Sequence, residues 1–98
     1  MGKKIFISMP MRGKTEKQIK AELEQAKRKI IDKYGDVEFI DSYFGDPELE
    51  DPIEMLGKSI SLMAEADAVY FYDGWEGARG CRIEHEVATQ YVKECIYG

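Results

Sequence analysis

Residues 68–72 read AVYFY, an uninterrupted apolar run between Asp67 and the turn sequence Asp73-Gly74. An apolar run without polar alternation is typical of a parallel strand whose two faces are both covered. We therefore predict that this segment is the central strand of a parallel sheet. Such a sheet requires helices on its faces, so the rest of the chain should supply them.

The chain before this strand alternates between strand and helix signals. The sequences KKIFIS at residues 3–8 and VEFI at residues 37–40 are short β-rich runs, which predict two strands. Between them, Thr15 and Gln18 form a capping-box pattern, and apolar residues then recur at helical spacing until Gly35. The pattern predicts a long first helix.

Two further helices are predicted on either side of the central strand. The first has Asp51 as its N-cap and should end near Ala66, and the second runs from Cys81 to about Glu94. A last strand is predicted to begin at Ile96. The apolar residues expected on the inner faces of these helices are Ile53, Leu56, Ile60 and Met63 in the first, and Ile83, Val87 and Tyr91 in the second.

The resulting order βαβαβα favours an α/β fold, a small three-layer parallel sheet of the flavodoxin or Rossmann-like kind. No internal repeat divides the chain, so residues 1–98 are expected to form a single domain. A domain of this size buries a limited share of its surface, which favours a homodimer or larger homo-oligomer. Ligands of such sheets bind at the carboxyl ends of the strands, which predicts a site formed by loops 8–14, 41–51 and 73–80.

Charge and composition narrow the classes of function. The net charge is −5, with 19 acidic and 14 basic residues, which argues against a partner that is a nucleic acid polymer and favours a small molecule. Cys81 and Cys95 lack a CxxC spacing and the sequence shows no secretory leader, so a reduced, cytoplasmic protein is expected. No membrane segment, metal site or cofactor is predicted.

Glu84 is the residue best placed for covalent chemistry. The predicted start of the third helix puts it within the first turn, where the helix dipole and unpaired amides favour an ionised carboxylate. An acidic residue near a helix N-terminus is also explained by helix propensity alone. The neighbouring pattern favours the functional interpretation, since Gly80, Glu84 and Ala88 follow one another at four-residue steps.

Two stretches resemble the nucleoside 2-deoxyribosyltransferase family. In the first, Ala66-Asp67, Asp73-Gly74 and the helix start from Gly80 to Ala88 match the family's buried strand and the Gly-x-x-x-Glu-x-x-x-Ala helix that supplies its nucleophilic glutamate. In the second, KIFISMPMRG at residues 4–13 is similar to the family's first strand and substrate loop. Its Met11-Arg12-Gly13 end resembles the phosphate-contacting stretch of the related deoxynucleoside 5′-monophosphate N-hydrolases.

The resemblance implies cleavage or transfer of the N-glycosidic bond of a 2′-deoxynucleoside or its 5′-monophosphate. Glu84 would attack C1′, Asp73 would be the second carboxylate that assists departure of the base, and water or another base would complete the reaction with retention. No cofactor and no metal are implied. The expected substrate-binding residues are Phe6, Ser8, Pro10, Arg12, Gly13, Ser59, Trp75 and Gly80.

Several of these residues have a second interpretation. Asp73 is equally an ordinary turn residue, and Arg12 is equally a solvated loop arginine. Trp75 is expected to stack on a nucleobase or, alternatively, to pack over its own turn or against a partner subunit. His85 is expected at the surface, with a role as general acid as the alternative.

Two positions depart from the family's pattern. Ser59 stands where the family usually has an Asp that orients the nucleophile, and Phe6 stands where it usually has a Tyr. A site without those polar groups also fits a catalytically inactive nucleotide-binding or sensing protein. A third interpretation is a phage-type interaction protein that keeps the fold but uses its surface on a partner.

Overall fold

A computed structural model describes residues 2–41, 51–91 and 93–98. Within these ranges the chain alternates between strands and helices, with a short 3₁₀ turn, Trp75–Gly77, before the last helix. The strands are β1 Lys3–Ser8, β2 Val37–Ile40, β3 Ala68–Phe71 and β4 Glu94–Tyr97, and the helices are α1 Glu16–Tyr34, α2 Pro52–Met63 and α3 Arg79–Gln90. The middle of the predicted loop 41–51 (residues 42–50) lies outside the described residues.

The strands form one parallel sheet in the order β2-β1-β3-β4. β1 pairs with both β2 and β3, with Ile5 opposite Phe39 on one side and Ala68 on the other. Alternate residues of each strand face opposite sides of the sheet. The α1 side and the α2/α3 side therefore have separate cores. The predicted three-layer α/β class, compatible with a small flavodoxin or Rossmann-like domain, is confirmed.

The first helix is bounded as the sequence predicts. The Thr15 hydroxyl accepts the Gln18 amide at 3.1 Å, and the Gln18 side chain accepts the Thr15 amide at 2.8 Å, which completes the capping box. At the other end Gly35 has φ +79°, and its amide donates to the Ile31 carbonyl. Gly35 suits this position because side chains are strained at positive φ.

The inner faces of the other two helices differ from the prediction. Ile53 is 81% exposed at the start of α2, and Ile83 and Tyr91 are exposed on α3. The residues that α3 buries are Cys81, Glu84 and Ala88, and the helix ends at Gln90 instead of about Glu94. The face that packs on the sheet thus consists of small residues and a carboxylate, which hydropathy alone does not select.

The carboxyl ends of β1 and β3 and the amino ends of α2 and α3 lie at the same edge of the sheet. This arrangement follows from a parallel topology with helical crossovers. Asp51 caps α2 there by accepting the Ile53 and Glu54 amides at 2.9 and 3.2 Å. No helix in the described part of the chain is long and apolar enough to cross a membrane.

Replacing the α1 cap tests the local origin of the first helix. In Thr15→Ala the Gln18 amide loses its acceptor, so the free energy of unfolding should fall by about 1 kcal/mol. For a domain of this size this corresponds to a melting temperature lower by about 4–8 °C, measured by circular dichroism. Thr15→Ser keeps the hydroxyl and should melt close to the wild type; equal losses in both variants would contradict the capping role.

Candidate functional site

An open cleft of about 990 Å³ lies at the edge of the sheet where ligands were predicted to bind. Residues of the β1–α1 loop, the first turns of α2 and α3, and the turn after β3 form its walls. Seven predicted site residues line it: Phe6, Ser8, Pro10, Arg12, Ser59, Gly80 and Glu84. Three predicted residues, Gly13, Asp73 and Trp75, are not part of the lining.

Glu84 is held as a buried carboxylate at this cleft. Its side chain is 7% exposed, and its Oε1 accepts a hydrogen bond from Ser8 Oγ at 2.5 Å. Ser8 is itself 1% exposed, at the end of β1. Ser59 of α2 contributes a second side-chain hydrogen bond. Residues from a strand and two helices thus meet at one carboxyl group.

The pKa of Glu84 is raised above its ordinary value, because burial disfavours the charged form. The hydrogen bonds with Ser8 and Ser59 act in the opposite direction and favour the carboxylate. Because α3 begins at Arg79, Glu84 lies in the second turn. The predicted influence of the helix dipole, which falls off within the first turn, is therefore wrong. The two serine hydroxyls supply the stabilisation.

Cys81 is a second potential nucleophile that lines the cleft. It lies one turn before Glu84 on the same buried face of α3. Burial raises the pKa of the Cys81 thiol to about 11, although a hydrogen bond with Ser8 lowers it in part. A thiol with this pKa is protonated at neutral pH and therefore a poor nucleophile. Glu84 is the better candidate for covalent chemistry.

The second carboxylate expected at the site is not brought to it. Asp73 is exposed at the end of β3 and does not line the cleft. Asp51 does line it, but one of its oxygens already accepts the two amides at the start of α2. Asp51 was predicted as a helix cap and as the end of the site loop 41–51, and its place at the cleft follows from the meeting of both helix starts at this edge.

Trp75 packs against residues of β3 and α3, and its stacking on a nucleobase stays a prediction. Its ring is stacked on His85 with centroids 4.3 Å apart and is tilted against Phe71 at 5.3 Å. His85 does not line the cleft and is bonded through Nε2 to the Tyr97 hydroxyl at 2.7 Å. The general-acid alternative for His85 thus has no support in the geometry.

The loop that carries Arg12 forms a β-turn at the cleft. The Lys14 amide donates to the Met11 carbonyl at 3.2 Å, and Gly13 has φ +81°. The Lys14 amide is therefore already paired within this turn. The Arg12 side chain is exposed and lines the cleft, as does that of Arg79, which lies in the predicted site loop 73–80 but was not among the named site residues.

A family model described as a domain of unknown function, DUF4406, matches residues 3–97. The chain belongs to the DUF4406 family. No curated protein and no solved structure matches this DUF4406 chain. The family is described without an activity, so the resemblance to nucleoside 2-deoxyribosyltransferases remains a prediction. In the described ranges of this DUF4406 domain, no group of three or more His, Cys, Asp or Glu side chains is placed to hold a metal ion.

Burial of Glu84 predicts a stability that depends on pH. The folded protein holds the Glu84 proton more tightly than the unfolded chain, whose pKa is near the ordinary 4.5. The contribution of this group to stability is therefore complete below that value and is lost as pH rises through the raised folded pKa. Glu84→Gln removes the charge, so at pH 8 it should melt at a higher temperature than the wild type.

The advantage of Glu84→Gln should shrink as the pH is lowered towards 4.5, measured by thermal melts in a pH series. Glu86→Gln is the matched control, because Glu86 is exposed on the same helix. A melting-temperature difference for Glu84→Gln that is constant across the series would contradict the raised pKa.

Proposed function

We propose that this protein cleaves or transfers the N-glycosidic bond of a 2′-deoxynucleoside or its 5′-monophosphate, with Glu84 as the nucleophile. The observation that carries the proposal is the buried Glu84 carboxylate, held by two serine hydroxyls beside an open cleft at the carboxyl end of a parallel sheet. Retaining glycosyl chemistry requires a carboxylate that reaches the anomeric carbon and a proton source for the leaving group.

The reaction has two displacements at C1′ of the sugar. In the first, Glu84 forms a C1′–O bond as the C1′–N bond breaks, and the base leaves with the bonding electron pair. The departing base takes a proton from water in the open cleft, because Asp73 does not line it. In the second, water or an acceptor base attacks C1′ and releases Glu84, with overall retention.

Ser59 is compatible with this role although the resembling family has an aspartate there. A second carboxylate beside Glu84 would disfavour ionisation of Glu84, whereas a hydroxyl donates to the charged form. Ser59 is buried and lowers the pKa of Glu84 through its hydrogen bond. Phe6 is 1% exposed and contributes an apolar ring where the family's tyrosine would add a hydroxyl. Support of the nucleophile therefore comes from Ser8 and Ser59.

Two arginines favour a phosphorylated substrate over a neutral nucleoside. Arg12 and Arg79 both line the cleft, and neither guanidinium group forms an ion pair or hydrogen bond with another described residue. Guanidinium groups bind phosphate through charge-assisted, bidentate hydrogen bonds. In a chain of net charge −5, two arginines at one cleft are a local exception that suits an anionic ligand.

A nucleotide-binding or sensing protein without turnover is the second candidate. The raised pKa of Glu84 favours it, because a protonated carboxyl group is a poor nucleophile. The same cleft and arginines would then serve recognition alone. In either case we propose that the protein acts in the cytoplasm on free deoxynucleotides or deoxynucleosides, and the homo-oligomer expected from its size stays a prediction.

Release of the nucleobase tests the proposed enzymatic activity directly. Wild-type protein is incubated with the four common deoxynucleosides and their 5′-monophosphates, with and without a free acceptor base, and released base is measured by liquid chromatography. Glu84→Gln should lower the rate by at least about 10⁴-fold, because the nucleophile is lost while the shape is kept. Glu86→Gln should retain the wild-type rate.

No release by the wild type under any of these conditions would contradict the enzyme. Calorimetric titration of the same nucleotides then tests the second candidate, which requires binding without turnover. Release that persists in Glu84→Gln would contradict the role of Glu84 itself.

The serine hydroxyls should set the pH dependence of the reaction. The value of kcat/KM should rise with pH as Glu84 ionises. Ser59→Ala removes one stabilising hydrogen bond, which raises the pKa of Glu84 further and moves the rise to higher pH. On the rising part of the profile, where Glu84 is only partly ionised, the variant should lose about 10-fold in kcat/KM, the effect of one hydrogen bond to a charged group.

Ser61→Ala is the control for this series, because Ser61 is exposed on the same helix. Rate measurements at half-unit pH steps distinguish a shifted profile from a uniform loss. A uniform loss at every pH would mean that Ser59 supports the fold of the cleft and not the ionisation of Glu84.

A further inference from the structure

A glycine-rich turn at residues 74–78, which we call the cleft-wall turn, forms part of the cleft wall. Its small residues offer few side-chain contacts that would fix its position. Gly74, Gly77 and Ala78 line the cleft. Gly74 has φ +93°, and apart from the adjacent residues of the chain no atom lies within 4 Å of the position that a Cβ would take at Gly74 or Gly77. A segment of this composition needs an external contact to hold one position, because glycine is conformationally permissive.

Trp75 provides that contact from the middle of the turn. Its ring is stacked on His85 with centroids 4.3 Å apart and 30° between the planes, and it also contacts Phe71. His85 in turn meets Phe71 edge to face at 4.9 Å. Aromatic pairs at these distances contribute beyond their buried area. The indole therefore fixes the turn to the end of β3 and to α3.

Two residues of α3 hold the cleft-wall turn from outside the cleft. His85 carries the Trp75 stack and is itself bonded to the Tyr97 hydroxyl of β4 at 2.7 Å. Three residues earlier on the same helix, Arg82 Nη1 donates to the Glu76 carbonyl at 3.1 Å. Glu84, which directly precedes His85, points to the cleft. One helix thus carries the candidate nucleophile and the contacts that hold another part of the cleft wall.

We infer that His85 is a positioning residue, which acts through Trp75 to hold the cleft-wall turn at a fixed distance from Glu84 and thereby sets affinity for the deoxynucleotide. The inference rests on the proposed function for the identity of the ligand. Trp75 and His85 affect the cleft without contacting the substrate or transferring a proton, since neither lines the cleft. Arg82 supports the same turn through its backbone.

The test compares His85→Ala with His85→Phe. The first removes the stacked ring, and the second keeps a ring against Trp75 but lacks the bond to Tyr97. Trp75 is the sole tryptophan of the chain, so its emission reports the stack directly. His85→Ala should shift the emission to longer wavelength and accelerate the hydrogen exchange of the Gly77 and Ala78 amides relative to the wild type, because both are bonded within the turn.

Kinetics with the four deoxynucleoside 5′-monophosphates complete the test. We expect His85→Ala to raise KM about 3- to 10-fold, the effect of one aromatic pair, with kcat nearly unchanged. His85→Phe should restore most of the affinity. Gln90→Ala, on an exposed position of the same helix, should change neither KM nor emission.

Affinities measured by calorimetry in the Glu84→Gln background separate this inference from the proposed function. Binding that weakens with His85→Ala while the wild type shows no turnover would overturn the enzyme and support the positioning role. An unchanged KM or affinity despite a red-shifted Trp75 emission would overturn the positioning role. Unchanged amide exchange, or no binding of any monophosphate, would overturn it as well.

Discussion

The hydrogen bond from Ser8 to Glu84 is the interaction on which the geometry of the cleft depends. It joins the end of the interior strand β1 to the buried face of α3, and both side chains are nearly inaccessible to water. A carboxyl group in such a place costs free energy unless its oxygens have donors, and Ser8 and Ser59 provide them. An apolar residue at this position would suit the surrounding core better. The residue that would be best for stability is therefore not the one that the proposed chemistry needs, as is common at functional sites.

The fold was predictable because local signals and tertiary structure agree. Thr15 and Gly35 bound α1 through contacts within four residues, so the sequence alone specifies where that helix begins and ends. The AVYFY run required cover on both faces, and the structure places it inside the sheet. The position of the cleft was predictable for a topological reason, because parallel strands end at one edge. That rule brings Ser8 and Arg12 close to the start of the helix that carries Glu84.

The incorrect predictions involve partners that are distant in sequence. Hydropathy placed Ile83 on the inner face of α3, but that face contains Ala88, which lets the helix pack closely, and Glu84, whose donor Ser8 lies 76 residues away. No pattern within one helix reveals such a donor. The packing of Trp75 has the same explanation, since its ring contacts residues of other elements that the local sequence does not identify. Local sequence shows which side chains are available but not which of them meet.

The order of the strands in the sheet affects how the protein folds during its synthesis on the ribosome. β1 is synthesised early but pairs on one side with β3. Lys4 and Asp67, which are hydrogen-bonded where this pair begins, are 63 residues apart in the sequence. At about 5–20 residues added per second, roughly 3–13 s pass before the partner emerges. During that interval α1 is able to form from local contacts, while the apolar residues of β1 remain uncovered on one side. The nascent chain is therefore open to chaperones and to aggregation for a time fixed by strand order, whatever the stability of the finished domain.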